Sequence, residues 1–143
     1  MPIPKRWAAI AEYREEAGLP NLHEAVRLNA AEAVWNVPPT GAIVCINMVH
    51  ISPWEAAEGL FRGASEKLQE DAPLILYGPF FEEGTDPAQS NLEFDASLKS
   101  RNPSWGIRHI TDVTALASQT GFPLSARYTM PANNLMLVYR RVG

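Results

Sequence analysis

The chain has 143 residues, of which 46% are hydrophobic and 20% are charged, and this is typical of one globular domain with a hydrophobic core. Its net charge of −4 argues against binding to nucleic acid or to an anionic membrane surface, because both need clustered Lys and Arg. The single cysteine, Cys45, cannot form an internal disulfide, and no apolar run reaches the ~20 residues that span a bilayer. We therefore expect one domain over residues 1–143, cytoplasmic and without a signal peptide.

The N-terminal region predicts one helix and one weaker element. Apolar residues recur at helical spacing from Pro4 to Ala17, and Gly18 follows where such a helix should end. Residues 22–28 carry a faint period-two pattern that favours a short strand. A turn-rich break, NVPPTG, then separates this region from the rest of the chain.

A buried strand and an amphipathic helix follow the break. Residues 42–49 are apolar except for one Asn, which predicts a strand covered on both faces, as in a parallel sheet. Ser52 is the expected N-cap of the next helix, and Glu55 completes a capping box with it. Gly59 and Gly63 lie one turn apart inside this helix, so they favour close approach of a neighbouring segment over phosphate binding.

Residues 73–80 predict a second buried strand, and two further helices follow it. The first of these helices should begin at a capping box formed by Ser90 and Glu93. The second should be capped by Thr111 or Asp112.

Two last strands, near residues 124–130 and 135–140, flank the turn PANN and are expected to pair antiparallel. Strand, helix, strand, helix and hairpin together predict an α/β fold. Its sheet should be mostly parallel, with a C-terminal antiparallel hairpin.

Polar residues follow both buried strands, at the edge where open α/β sheets bind ligands. Asn47 and His50 come after the first strand, and Tyr77 and Gly78 come at the end of the second. His50 is a candidate general base, since the ordinary pKa of histidine lies near neutrality. The alternative is that Asn47 and His50 only satisfy backbone groups where the strand ends.

Other reactive residue types give weaker signals. The three histidines are far apart and show no metal-ligand spacing, so we expect no metal site. Cys45 lies in mid-strand, which favours a core position over a nucleophile. Asp95, Arg101 and Arg108 are more often solvated or salt-bridged than catalytic. Asn133 and Asn134 either shape the hairpin turn or hold a ligand.

Four segments resemble the methyltransferase-like 26 family, also called domain-of-unknown-function family 938: INMVHISPWEAAEGLFRGA, LYGPF, SNLEFDASLKSRNPSWGIRHITDV and MPANNLMLVYRR. That family resembles class I methyltransferases, which use S-adenosylmethionine (SAM). The resemblance implies a Rossmann-like fold that ends in an antiparallel hairpin. It places Asn47, His50 and Trp54 at the end of the family's fourth strand, and Tyr77 and Gly78 at the end of the fifth.

The N-terminal region departs from this family pattern. Such enzymes hold SAM with a glycine-rich turn after their first strand, whereas the nine glycines here include no Gly-x-Gly. Residues 6–22 resemble instead the helix that follows the second strand. We therefore expect a truncated domain that corresponds to the C-terminal two-thirds of the fold. The resemblance makes SAM the expected cofactor of the family, and none is expected for this chain alone.

Three functions are consistent with this pattern. We favour a non-enzymatic domain that binds a small molecule or a partner. The first alternative is a SAM-dependent methyltransferase acting on a small acceptor, with another element completing the cofactor site and His50 as base. The second is a purely structural protein. The candidate substrate-binding residues are Asn47, Trp54, Tyr77, Gly78, Asn91, Asp95, Arg108, Asn133 and Asn134.

The expected loss of the first strand has a structural consequence. One edge of the strand at 42–49 would be exposed, and an apolar edge tends to pair with another strand. Either residues 22–28 cover it or a second chain does, and we prefer a homodimer that joins or swaps sheets. Trp7 and Trp35 are candidates to cover the same surface, or belong to the core.

Overall fold

The computed structural model of the protein describes residues 5–143. Pro4, the predicted start of the first helix, lies outside the described residues. The elements in chain order are α1 (Lys5–Ala17), β1 (Ile43–Ile46), α2 (Trp54–Lys67), β2 (Pro73–Gly78), β3 (Phe80–Phe81), α3 (Gln89–Arg101), β4 (Arg108–His109), α4 (Ile110–Gln119), β5 (Leu124–Met130) and β6 (Asn134–Arg140). None of the helices in this part of the chain has the length and apolar character needed to cross a membrane.

The main sheet has four strands in the order β1-β2-β6-β5. β1 pairs parallel with β2, with Ile43 opposite Leu74, while β2–β6 and β5–β6 are antiparallel. β3 and β4 form a separate parallel pair. The predicted α/β fold and its C-terminal hairpin are confirmed. The sheet was expected to be mostly parallel and is mixed, because β6 returns antiparallel beside β2, and β1 lies at its edge.

One face of the sheet, which we call the inner face, carries the core. Alternation along β2 and β6 places Leu74, Leu76, Leu137 and Tyr139 on this face, all fully buried. Apolar side chains of α2 and α4 cover them in one cluster. Phe61 of α2 meets the ring of Tyr139 edge-on at 5.4 Å, a favoured aromatic geometry.

Helix α2 also packs against the chain that precedes β1. A methyl group on Gly59 would collide with the carbonyl of Ala30, and one on Gly63 would collide with the ring of Trp35. Trp35 is buried, and its indole N–H donates to the Ala30 carbonyl at 3.2 Å. The predicted close approach at the two glycines is confirmed, and Trp35 belongs to the core.

The predicted capping box at the start of α2 is wrong. The N-cap is Pro53 and no side chain caps the helix, while Ser52 Oγ donates to the carbonyl of Met48 at 2.7 Å. The hydroxyl therefore closes the turn after β1 and is not free to cap. The fixed φ of proline suits the entry to a helix, which begins at the following Trp54 without a side-chain cap.

The caps predicted for the next two helices are also wrong. α3 has Ala88 as its N-cap, so Ser90 lies inside its first turn, and α4 has His109, which lies before Thr111 and Asp112. Neither helix has a side-chain cap bond. A Ser/Thr-x-x-Glu pattern inside a helix looks the same in sequence as one at its start, which explains the error at α3.

The predicted strand at residues 22–28 is wrong as well. These residues are irregular, and Leu22 and Val26 point into solvent. A period-two pattern forms a strand only when the segment also pairs with a neighbouring strand, and residues 22–28 make no such pairing. Within residues 5–143, the only bridge near the start of β1 joins Thr40 to Leu68, so this segment does not cover the edge of β1.

Candidate functional site

A crevice of about 560 Å³ opens at the carboxyl ends of β1 and β2. The turn after β1 forms its floor, and α3 and the β5–β6 turn form its walls. Four residues that the sequence singled out line it together: Asn47, His50, Asn91 and Asn134. The crevice therefore lies where ligands bind in open α/β sheets.

Asn47 ends β1 in a left-handed conformation. Its φ is +52°, and its N–H still donates to the carbonyl of Tyr77 at 2.9 Å, as a further rung of the parallel ladder. Asparagine tolerates this conformation better than most residues, although some strain remains. The chain thus turns sharply from the strand into the crevice, and such strain tends to cluster at functional sites.

Gly78 provides the space in which Asn47 and His50 meet. A methyl group at Gly78 would lie 3.1 Å from Asn47 Oδ1 and 3.3 Å from His50 Cε1, and its φ of +156° is one that side chains rarely adopt. The backbone of β2 can therefore approach both polar side chains. Tyr77 takes part through its carbonyl, while its half-buried side chain lies on the opposite, outer face of the sheet.

His50 is the buried polar residue of the crevice. It is 3% exposed, and its Nδ1 has no hydrogen-bond partner among the described residues. Its ring lies 5.7 Å from that of Phe94, edge to face. Burial, and then the charge of Arg108, lower the pKa of His50 below its ordinary 6.5. His50 is therefore uncharged at neutral pH and can accept a proton or a hydrogen bond.

The β5–β6 turn closes one side of the crevice. Ala132 and Asn133 both have positive φ, and the Asn133 amide donates to Ser90 Oγ of α3 at 3.3 Å. Asn134 lines the crevice, and its amide donates to the carbonyl of Pro131 at 3.1 Å. Asn133 therefore ties the turn to α3, and Asn134 presents its side chain beside the ligand space.

Arg108 and Trp54 lie outside the crevice, in a second cavity of about 580 Å³. The guanidinium of Arg108 lies 5.5 Å from the ring centre of Trp54 and donates to the carbonyls of Val49 and Ser52 at 3.1 and 2.8 Å. These carbonyls flank His50 in sequence. Arg108 thus fixes the turn that carries His50, and burial lowers its own pKa.

Asp95 has a similar supporting position. One carboxylate oxygen accepts the N–H of Ile107 at 2.8 Å, and the other accepts Lys99 Nζ at 2.8 Å. The next residue back, Gly106, donates its N–H to the carbonyl of His50 at 3.0 Å. Asp95 therefore attaches the loop after α3 to the helix, and that loop in turn holds the backbone of His50.

Phe94 and Arg101 also line the crevice. The sequence did not mark Phe94 as a site residue, and Arg101 was expected to be solvated or salt-bridged. The signal was present, since Asn91, Phe94, Leu98 and Arg101 recur at spacings of three and four and so share one face of α3. Because Asn91 lies at the crevice, this spacing places Phe94 and Arg101 there as well. Across residues 5–143, no three His, Cys, Asp or Glu side chains cluster as a metal site would require.

Comparison with known families identifies the chain. The model of the family described as "Protein of unknown function (DUF938)" matches residues 3–141. The chain belongs to the DUF938 family. Its description assigns no activity, so the function of this DUF938 protein has to be argued from the site.

Solved structures similar to this DUF938 chain establish the fold class. Mitomycin 7-O-methyltransferase MmcR matches with a TM-score of 0.81 and 17% identity, over 97% of this chain and 40% of that protein. An O-methyltransferase family protein from Burkholderia thailandensis matches with a TM-score of 0.81 and 10% identity, over 99% of this chain and 42% of that protein. LepI in complex with SAM matches with a TM-score of 0.73 and 15% identity, over 98% of this chain and 35% of that protein. The fold is therefore methyltransferase-like and Rossmann-like, and the chain spans about two fifths of the length of these proteins.

Proposed function

We propose that this DUF938 chain is a small-molecule-binding domain whose ligand occupies the crevice at the ends of β1 and β2. The observation that carries the proposal is His50, which is buried with its Nδ1 unbonded among the described residues. An unbonded buried polar atom costs about 1–3 kcal/mol, so such atoms need a reason. A ligand that forms the missing hydrogen bond would recover this cost.

The lining of the crevice suggests the chemistry of the ligand. The amides of Asn47, Asn91 and Asn134 can donate and accept hydrogen bonds, while Phe94 and Pro79 provide apolar surface. A small molecule with an apolar or aromatic body and one hydroxyl or amine group matches these walls. The uncharged imidazole of His50 would accept the hydrogen bond of that group.

Phenol is a simple probe of this proposal, because it has one ring and one hydroxyl. We expect phenol to shift the NMR signals of the His50 imidazole and of the side-chain amides of Asn47 and Asn91. We expect His50→Ala to weaken binding about tenfold, the loss of one buried hydrogen bond. His23→Ala is the matched control, since His23 is exposed in an irregular segment.

Asn91→Ala tests the same crevice without disturbing the buried histidine. It should weaken phenol binding and leave the fold intact, because Asn91 is half-buried on the surface of α3. Shifts that map to the second cavity around Trp54, or binding that both variants retain in full, would contradict the proposal.

A second candidate function is methyl transfer from SAM to an acceptor held in the same crevice. The observation that favours it is the near-complete coverage of this chain by methyltransferase structures and by LepI with SAM. The residues of this chain provide the acceptor side, with His50 placed to take a proton from the acceptor. They include no Gly-x-Gly turn for the cofactor, so another element would have to complete that site.

Calorimetry with SAM and with S-adenosylhomocysteine separates the two functions. We expect no binding to the purified chain even at about 1 mM cofactor, since affinity weaker than this amounts to less than about 4 kcal/mol. Binding at micromolar concentration would favour the methyltransferase and would show that the described residues suffice for the cofactor.

A further inference from the structure

The outer edge of β1 is open. Among residues 5–143, β1 pairs only with β2. The N–H of Asn47 points toward β2, so alternation turns the backbone groups of Val44 and Ile46 away from the sheet. No backbone hydrogen bond within residues 5–143 reaches these groups from outside the sheet. The side chains of Val44 and Ile46 are 57% and 61% exposed. Such an edge is a template for another strand.

A groove of about 1150 Å³ lies beside this edge. It runs between β1, the first turns of α2 and the segment at residues 27–38, and it is larger than the ~300–1,000 Å³ that holds a small molecule. Its size therefore favours a polypeptide as the occupant.

Opposite charges mark the two ends of the groove. Glu55 lies in the first turn of α2, near the carboxyl end of β1, and Lys67 lies in the last turn. The carbonyl of Lys67 accepts the N–H of Thr40, which places this end of α2 beside the start of β1. Glu55 and Lys67 are 12 residues apart in α2, about 18 Å along the helix axis, so they do not pair within one chain.

We propose that β1 pairs antiparallel with β1 of a second copy across a two-fold axis, which joins two four-stranded sheets into one. A two-fold interface is self-complementary, so each surface meets its own copy. Antiparallel pairing of β1 brings the start of one strand to the end of the other. Glu55 of each copy therefore faces Lys67 of the second copy, and the junction contains two ion pairs.

Charge complementarity supports a second copy over an unrelated strand. In an antiparallel pair of two copies, Glu55 of each copy faces Lys67 of the other. Another polypeptide would carry charges at the matching positions only by chance. This match favours association of the chain with itself.

Sedimentation equilibrium of the intact chain at low salt tests this junction. We expect a dimer, and we expect Glu55→Lys and Lys67→Glu each to raise its dissociation constant about tenfold or more, because like charges then face each other twice. The double variant E55K/K67E should return the constant to near the wild-type value, since both pairs re-form with reversed sign.

Glu58→Lys is the matched control, because Glu58 is exposed on the same helix but lines the second cavity. It should leave the dissociation constant unchanged. Glu55 also interacts with the charge of Arg108, so thermal unfolding must show that E55K folds. If E55K does not fold, the single Lys67→Glu variant and a 0.5 M salt titration carry the test.

Val44→Pro tests the backbone pairing itself. Proline removes an N–H that points away from β2, so the chain should fold and the dimer should be lost. A wild-type monomer at about 100 µM, a dimer that all these variants retain, or single variants that the double variant does not rescue would each overturn the proposal.

Discussion

The inner and outer faces of the same sheet differ in how they are covered. On the inner face, α2 and α4 bury Leu76 and Tyr139 almost completely. On the outer face, Val138 is buried, but Val44 and Tyr128 remain more than half exposed. The side chains of every strand alternate between the two faces. The difference in exposure therefore comes from α2 and α4, which pack on the inner face.

This comparison separates two roles. The inner face supplies the hydrophobic stabilisation of the fold, since burial of one large apolar side chain contributes about 1.5–3 kcal/mol. The outer face and the edge of β1 contribute less to the fold and are available to other chains. The crevice lies at the end of the sheet between these faces, where the turn after β1 carries His50.

Phe61→Ala should produce the largest loss of stability. Phe61 is fully buried against Phe122 and Tyr139, and truncation of such a ring costs about 3–5 kcal/mol. Phe94→Ala is the matched control on the crevice wall, where the ring is partly exposed, and it should cost no more than about 1 kcal/mol. Urea unfolding measures both, and equal losses would mean that the inner face is not the main core.

Gly63→Ala should destabilise the fold by about 1–3 kcal/mol, although alanine is the better helix former by ~1 kcal/mol. The added methyl group collides with the buried ring of Trp35, which must move away from α2. A shift of the Trp35 fluorescence should accompany the loss. Gly41→Ala, where no atom lies within contact distance, should be nearly neutral, and a neutral G63A would show that residues 29–36 are not fixed on α2.

Much of the fold was predictable because its signals are local. The apolar runs around β1 and β2, the stripe of α2 and the turn between β5 and β6 each determine an element by themselves. The starts of the helices were not predictable in this way. At α2, for example, Ser52 donates to the carbonyl of Met48 and so does not cap the helix. The strand predicted at residues 22–28 was wrong for a related reason, since a strand needs a pairing partner that no local pattern reveals.

The site was predictable only where one strand determines it. Asn47 and His50 follow from the rule that ligands bind at the carboxyl ends of strands. Phe94 depends on how α3 folds back across the sheet, a long-range arrangement that spacing alone does not give. Trp54 follows β1 in sequence and Arg108 lies in β4, and the two pack against each other in the second cavity.

The stability of the chain should fall as the pH is lowered below the ordinary histidine pKa of 6.5. The pKa of His50 is lowered in the folded state, so below the ordinary value of 6.5 the unfolded chain binds more protons. Stability is therefore full above 6.5 and declines below it until the pH reaches the lowered pKa. In urea unfolding, His50→Gln should reduce this decline in stability, and the control His23→Gln should not. An unchanged pH dependence in H50Q would show that His50 is not shielded from protonation.

Tyr128→Thr should have the smallest effect and is the direct test of the open outer face. Tyr128 is 53% exposed and lies opposite Met136 on β6, so its loss removes one cross-strand pair worth about 0.2–1 kcal/mol. Threonine, like tyrosine, is common in strands, which limits the change to that pair. Tyr128 lies on β5, at the sheet edge opposite β1, so the proposed dimer junction does not cover it. A loss well above 1 kcal/mol would therefore mean that another element packs on the outer face, and the contrast between the two faces would no longer hold.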